Sequence, residues 1–235
     1  MGKRLCSEEA SILEVLQNRY FELKSIEEEL FDSYCELAAA VELGGKILIC
    51  GNGGCAADAE HFVGELMKGF LLERKLCNTD ISSFDMQSDE DYLIVSRLQK
   101  SIPAISLSSQ TALMTAISND ISFDMVFAQQ VYSYARNRND VLIVLSTSGN
   151  SQNVVNAVRV SRIIGIRSIS ITGQDESKLS ELSTCCIKIP SRETYKIQEL
   201  VLPVYHAFCA MLEARFFSKK RTSNVIAYKS NLARG

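Results

Sequence analysis

The sequence predicts an α/β protein in which a parallel sheet is covered by helices on both faces, and three observations carry that expectation. Residues 8–43 place Ile12, Val15, Leu16, Tyr20, Leu23 and Ile26 at helical spacing, with no Pro or Gly, so one or two N-terminal helices are expected. From Lys46 onward, short apolar runs at 46–50, 104–107, 141–145, 168–171 and 186–189 end in Gly, Ser or Asn and lead into helical patterns. Strands that are apolar along their whole length are buried on both faces, and their alternation with helices is the pattern of a parallel sheet. Finally, residues 195–217 read as a long closing C-terminal helix with an apolar stretch from Leu200 to Leu212, interrupted by Pro203.

The elements between these landmarks follow the same logic. A Gly turn at 51–54 precedes a helical run at 56–70, and a second turn at 146–151 precedes another at 154–164. Residues 77–100 break the alternation with an acidic stretch (Asp80, Asp85, Asp89, Glu90, Asp91) and are expected to be an insertion carrying a short helix at 92–98. One domain over 1–217 accounts for the length, followed at 218–235 by a basic tail (Lys219, Lys220, Arg221, Lys229, Arg234) expected to be solvated and frayed.

Composition narrows the function. Apolar residues make up 46% and charged residues 23%, the balance of a packed globular protein, and the net charge of −3 offers no long-range attraction to nucleic acid or anionic lipid. No apolar run reaches the roughly 20 residues of a membrane span, and the N-terminus lacks a signal-peptide core, so a cytosolic protein without nucleic-acid or membrane partners is expected. The eight cysteines contain no Cys-x-x-Cys pair and several sit in apolar runs, as Cys50 does, which favours reduced core thiols over disulfides or a four-cysteine zinc site.

In an open parallel sheet, ligands collect at the carboxyl ends of the strands, so the site is expected between the turns 51–54 and 146–151. The second turn, Ser146-Thr147-Ser148-Gly149-Asn150-Ser151, combines hydroxyls with free N–H groups at a helix N-terminus and suits a phosphate dianion. An N-cap in a polar turn is the plainer alternative, and the density of hydroxyls favours phosphate. The turn Gly51-Asn52-Gly53-Gly54 lacks the dinucleotide pattern and is either a tight strand-to-helix turn or a binding loop. On the following helix His61 and Glu65, four residues apart, share a face, as a surface pair or as a functional one. Gln198 and His206 lie about 80° apart around the last helix at roughly 100° per residue, and His206 stands in an otherwise apolar run.

These segments, with Ser118-Asn119-Asp120, resemble the SIS (sugar isomerase) domain family, and within it the phosphoheptose isomerases, over residues 35–215. The resemblance implies a three-layer α/β/α sandwich assembled as a homotetramer with shared active sites, and conversion of sedoheptulose 7-phosphate to glycero-manno-heptose 7-phosphate. It implies substrate contacts at Asn52, Gly53, Gly54, Cys55, Glu65, Asn119, Asp120, Ser146, Thr147, Ser148, Ser151 and Gln198, proton transfer by Glu65 and His206, and a zinc site formed by His61, Glu65, Gln198 and His206. That mixed N/O set suits zinc, which would polarise the carbonyl. Independently, an enediol isomerisation needs a base near carbon and an acid near oxygen, and a carboxylate with an imidazole meets that need. Two positions depart from the family: Cys55 stands where Ser is usual, and Gly69 where Arg is usual, with Lys68 or Arg74 as replacement cations. The rival expectation is a SIS-domain regulator or scaffold that binds sugar phosphate without catalysis; retention of Glu65, Gln198 and His206 argues against it.

Overall fold

The structure, a computed structural model, describes residues 5–218 and the backbone of 225–226. In chain order the elements are β1 (Leu5–Cys6), α1 (Ser7–Arg19), a 3-10 turn (Phe21–Ile26), α2 (Glu27–Glu42), β2 (Ile47–Gly51), α3 (Gly54–Met67), α4 (Asn78–Ile81), α5 (Asp89–Val95), β3 (Ala104–Ser106), α6 (Thr111–Asp120), α7 (Val126–Tyr134), β4 (Val141–Leu145), α8 (Gln152–Ile164), β5 (Arg167–Gly173), α9 (Lys178–Leu182), β6 (Cys185–Ile189), α10 (Thr194–Phe217) and β7 (Val225–Ile226). Strands β2 to β6 form one parallel sheet in the order β3-β2-β4-β5-β6, and β1 pairs antiparallel with β7. Apart from that pairing, the expected basic tail lies outside the described residues.

The apolar runs alternate strictly across the sheet. Ile47, Ile49, Val141, Ile143 and Leu145 face one core, shared with α1, α2, α3 and α10, while Leu48, Cys50, Leu142 and Val144 face a second core with α7 and α8. Period-2 alternation with both faces apolar yields three layers. The strand starts are pinned by Asp140, buried beneath the sheet: it accepts from the backbone N–H and Nζ of Lys46 (2.9 and 2.7 Å) and from the N–H groups of Arg136 and Asn137 (both 3.0 Å). Burial pushes its carboxyl up, but the bonds from Lys46 and Asn137 outweigh that and hold it below the ordinary range.

Two expected elements shift. The insertion carries two short helices, α4 and α5, and the latter begins earlier than its apolar residues suggested because Ser88 and Asp91 form a capping box ahead of it. α10 is long and apolar enough to cross a membrane by length and composition, yet 61% of its most apolar window is buried inside the protein, as befits a core helix. Its Pro203 is accommodated within the helix.

Candidate active site

Because α3 leaves β2 toward one face and α8 leaves β4 toward the other, the paired ends of these neighbouring strands open a crevice. Asn52 and Asn153 bridge it with reciprocal amide bonds of 2.9 and 2.8 Å. Gly53 adopts φ +56°, in the left-handed region, and any Cβ on Gly54 would stand 2.5 Å from Nε2 of Gln198. Both glycines therefore serve the turn and the close seating of α10 on α3.

Across the crevice, Ser151 begins α8 but makes no side-chain cap bond, so the plain N-cap explanation of this hydroxyl does not hold. Ser146 is buried and its Oγ accepts from Gly149 N–H (3.2 Å), whereas the exposed Ser148 accepts from Asn150 N–H (3.3 Å). Gly149 has φ +63°, and a Cβ there would collide with Ser177 at 2.2 Å. A cleft of about 290 Å³ opens beside the turn, lined by Thr147, Ser148, Asn150, Gly173, Arg192 and Thr194. Hydroxyls, amides, the carboxylates of Asp175 and Glu176 and one guanidinium, that of Arg192 paired with Asp175 at 2.9 Å, line this hollow.

Helices α3 and α10 run side by side from the crevice, and further down their seam lies the acid/base cluster. His61 Nε2 stands 3.3 Å from Glu65 Oε1 and 3.5 Å from His206 Nε2, and Lys68 pairs with the other Glu65 oxygen at 3.0 Å. Phe70 packs against the His206 ring. Burial, and secondarily the neighbouring His61, lowers the pKa of His206 and favours its neutral form, against the opposing charge of Glu65. The cluster thus offers a carboxylate and a neutral imidazole on a half-buried surface, which suffices to move a proton between carbon and oxygen.

Glu65 is held from below. The buried pair Arg74–Glu213 (2.7 Å) closes the end of α3: Arg74 donates to the carbonyls of Leu66 (2.7 Å) and Glu65 (3.3 Å), while Glu213 also accepts from the N–H groups of Phe70, Leu71 and Leu72. Arg74 is therefore a structural group and not the replacement cation expected for the missing family Arg; its side chain is wholly enclosed. Lys68 is engaged with Glu65, and Arg192, which the sequence did not single out, is the cation that lines the cleft.

Other expected site residues lie apart from the cluster. Gln198 packs on Gly54, eight residues before His206 and hence about 12 Å along the helix. Cys55 is buried, so its thiol is withdrawn from a ligand; burial, then the charge of Asp58, raises its pKa despite hydrogen bonding with Gln198. Asn119 and Asp120 sit at the exposed end of α6 and bond to each other (2.9 Å), and among the described residues no hydrogen bond joins them to either turn.

For zinc bound at about 2.0–2.2 Å, tetrahedral ligand atoms stand roughly 3.3–3.6 Å apart. The two separations at His61 Nε2 match such edges, but among the described residues no three His, Cys, Asp or Glu groups converge on one metal-sized point, and Gln198 is two turns away. The donor chemistry suits zinc, whereas the single protomer does not close the set of His61, Glu65, Gln198 and His206.

Sequence reasoning assigned no role to Tyr205, Asp58 or Glu213, which hold the cluster through contacts 139 to 147 residues apart. The only local signal was their polarity beside apolar helix positions.

Known proteins share the sequence and fold of this chain. Residues 94–173, spanning β3 to β5, match the SIS domain family. A phosphoheptose isomerase of Helicobacter pylori strain P12 is 39% identical over 84% of this chain and 89% of its own length, and one of Aliarcobacter butzleri is 38% identical over 72% and 76%. The solved phosphoheptose isomerase of Neisseria gonorrhoeae superposes with a TM-score of 0.67 at 29% identity, covering 87% of this chain and 96% of that one. With a parallel sheet of the same architecture and identity of this extent along most of its length, the chain belongs to the phosphoheptose isomerase family of SIS-domain proteins.

Proposed function

We propose that the protein is an aldose–ketose isomerase that converts sedoheptulose 7-phosphate to D-glycero-D-manno-heptose 7-phosphate. The observation that carries the reading is the seam cluster of Glu65, His61 and His206, intact in a chain whose relatives bear the phosphoheptose isomerase name. In this reading the hydroxyls of Ser146, Thr147, Ser148 and Ser151 and the N-terminus of α8 receive the phosphate. Glu65 removes the proton from C1 of the open-chain ketose, exchanges it with solvent at the enediol stage and returns a proton to C2. His206 moves the oxygen-bound proton between the C2 and C1 oxygens through the enediol and assists ring opening. The buried pair beneath Glu65 keeps the base in register with its neighbours.

The same reading includes a homotetramer with shared sites. Its support is that one protomer sets Gln198 apart from His206 and leaves Tyr92, Leu93 and Ile94 of the insertion exposed. Light scattering of the wild type and of a Leu93→Ser/Ile94→Ser variant checks it: a tetramer weakened by the substitutions is expected, and a wild-type monomer contradicts it. Zinc at one ion per site and a cytosolic location complete the proposal, and metal analysis of wild-type and His61→Ala protein tests the former.

The activity itself is tested by incubating purified protein with five- to seven-carbon ketose phosphates, with and without zinc, and following aldose formation. Turnover of the seven-carbon substrate is expected; no turnover of any ketose phosphate overturns the enzyme reading and leaves the non-catalytic sugar-phosphate binder in its place.

A further inference from the structure

Deep in the α3–α10 seam, Tyr205 contacts His61 and Asp58. The residue is fully buried, and its ring is stacked on Phe62 with centroids 5.1 Å apart and planes 19° apart, so its hydroxyl has little freedom to move. The hydroxyl lies 2.9 Å from His61 Nδ1 and donates to Asp58 Oδ1 at 3.3 Å. A tyrosine hydroxyl, with an ordinary pKa of about 10, keeps its proton at neutral pH.

The donor count fixes the rest. A tyrosine hydroxyl has one proton to donate, and a carboxylate only accepts. With that proton directed at Asp58, the bond to His61 requires Nδ1–H as the donor and the tyrosine oxygen as the acceptor. A neutral imidazole protonated at Nδ1 carries a bare lone pair at Nε2, and Nε2 is the atom that faces Glu65 and His206.

We propose that Asp58 and Tyr205 are positioning residues that lock His61 in its Nδ1–H tautomer, so that it presents Nε2 to the cluster as an acceptor. The inference rests on the placement of His61 in the proposed active site, and it deepens that reading: His61 shapes the hydrogen bonding around the carbon base, while Glu65 and His206 move the protons.

The chain has two histidines, so the test is spectroscopically simple. Long-range proton–nitrogen correlation spectra of ¹⁵N-labelled protein, recorded in alkaline buffer where imidazoles are neutral, distinguish the two tautomers, and a His206→Gln variant assigns the signals. The wild type is expected to show His61 as Nδ1–H. Tyr205→Phe, which retains the stacked ring, and Asp58→Ala, which frees the tyrosine proton for Nδ1, are each expected to convert it to Nε2–H. In the turnover assay Tyr205→Phe is expected to lower kcat about 10- to 100-fold with KM unchanged, the range seen when the partner that orients an imidazole is removed. A wild-type Nε2–H signal, or an Nδ1–H signal that survives Tyr205→Phe, overturns the proposal. Should Tyr205→Phe fail to fold by circular dichroism, Asp58→Ala decides it on the same spectrum. Absence of turnover in the wild type would defeat the isomerase reading without altering the tautomer signal, so the two failures are distinguishable.

Discussion

The α3–α10 seam and the 146–151 turn are built on opposite plans. In the seam two members of the proposed site are backed by buried neighbours: Tyr205 behind His61, and Arg74 with Glu213 beneath the Glu65 backbone. In the turn, Ser148 and Asn150 bond within the turn or to the start of α9, and the Ser151 hydroxyl makes no cap bond. Proton transfer tolerates little misplacement, and a braced cluster meets that demand. Capture of a phosphate needs donors that are not already committed, and a turn with uncommitted hydroxyls meets that one.

The contrast is sharpened first by removing the carbon base. Glu65→Gln keeps the shape of the seam but not its basicity, so kcat is expected to fall about 10²- to 10⁴-fold with an unchanged melting curve; a loss of stability instead would mark Glu65 as structural. Next in size is the brace. Arg74→Met leaves the enclosed Glu213 carboxylate without its partner, and breaking such a buried pair costs about 3–5 kcal/mol, read by urea denaturation. An effect below about 1 kcal/mol, the range of a surface pair, would contradict the described burial.

The turn should respond in the opposite manner. Ser151→Ala is expected to raise KM for the sugar phosphate about tenfold, as when one hydrogen bond to a charged group is lost. Its stability should stay within about 0.5 kcal/mol, because no cap bond is broken. A cap-sized loss of about 1 kcal/mol with unaltered KM would restore the plain N-cap reading.

The smallest effect is expected at Asp140, outside both regions. Its folded pKa is depressed, so its stabilisation is full above the unfolded value of about 3.9 and is lost as pH falls through the lower folded value. Asp140→Asn should therefore be less stable than wild type at neutral pH, and the gap should narrow in strongly acidic buffer. A gap that is constant with pH would show that geometry, not charge, holds the strand starts.

The same contrast explains what was legible in the sequence. Strands buried on both faces announce themselves as apolar runs, and the turn's hydroxyls are consecutive, so the sheet, its carboxyl-end crevice and Ser146 to Ser151 could be read locally. The pairing of His61 with Glu65 was visible as helix spacing, but its meeting with His206, 145 residues away, required α3 and α10 to pack in parallel. Arg74 looked like an available cation because sequence carries no burial; only the closure of α3 against α10 turns it inward. Gln198 looked like a partner of His206 because angle around a helix is easily counted, whereas the rise along it separates the two.

The central claim is that Glu65 moves a proton between adjacent carbons of sedoheptulose 7-phosphate, and turnover in deuterated water tests it most directly. Through an enediol whose C2 receives an exchangeable proton from Glu65, the aldose formed by wild-type protein should carry solvent deuterium at C2, and Glu65→Gln should form product and exchanged substrate about 10²- to 10⁴-fold more slowly. Product without deuterium at C2, or wild-type-level exchange by Glu65→Gln, would contradict the account.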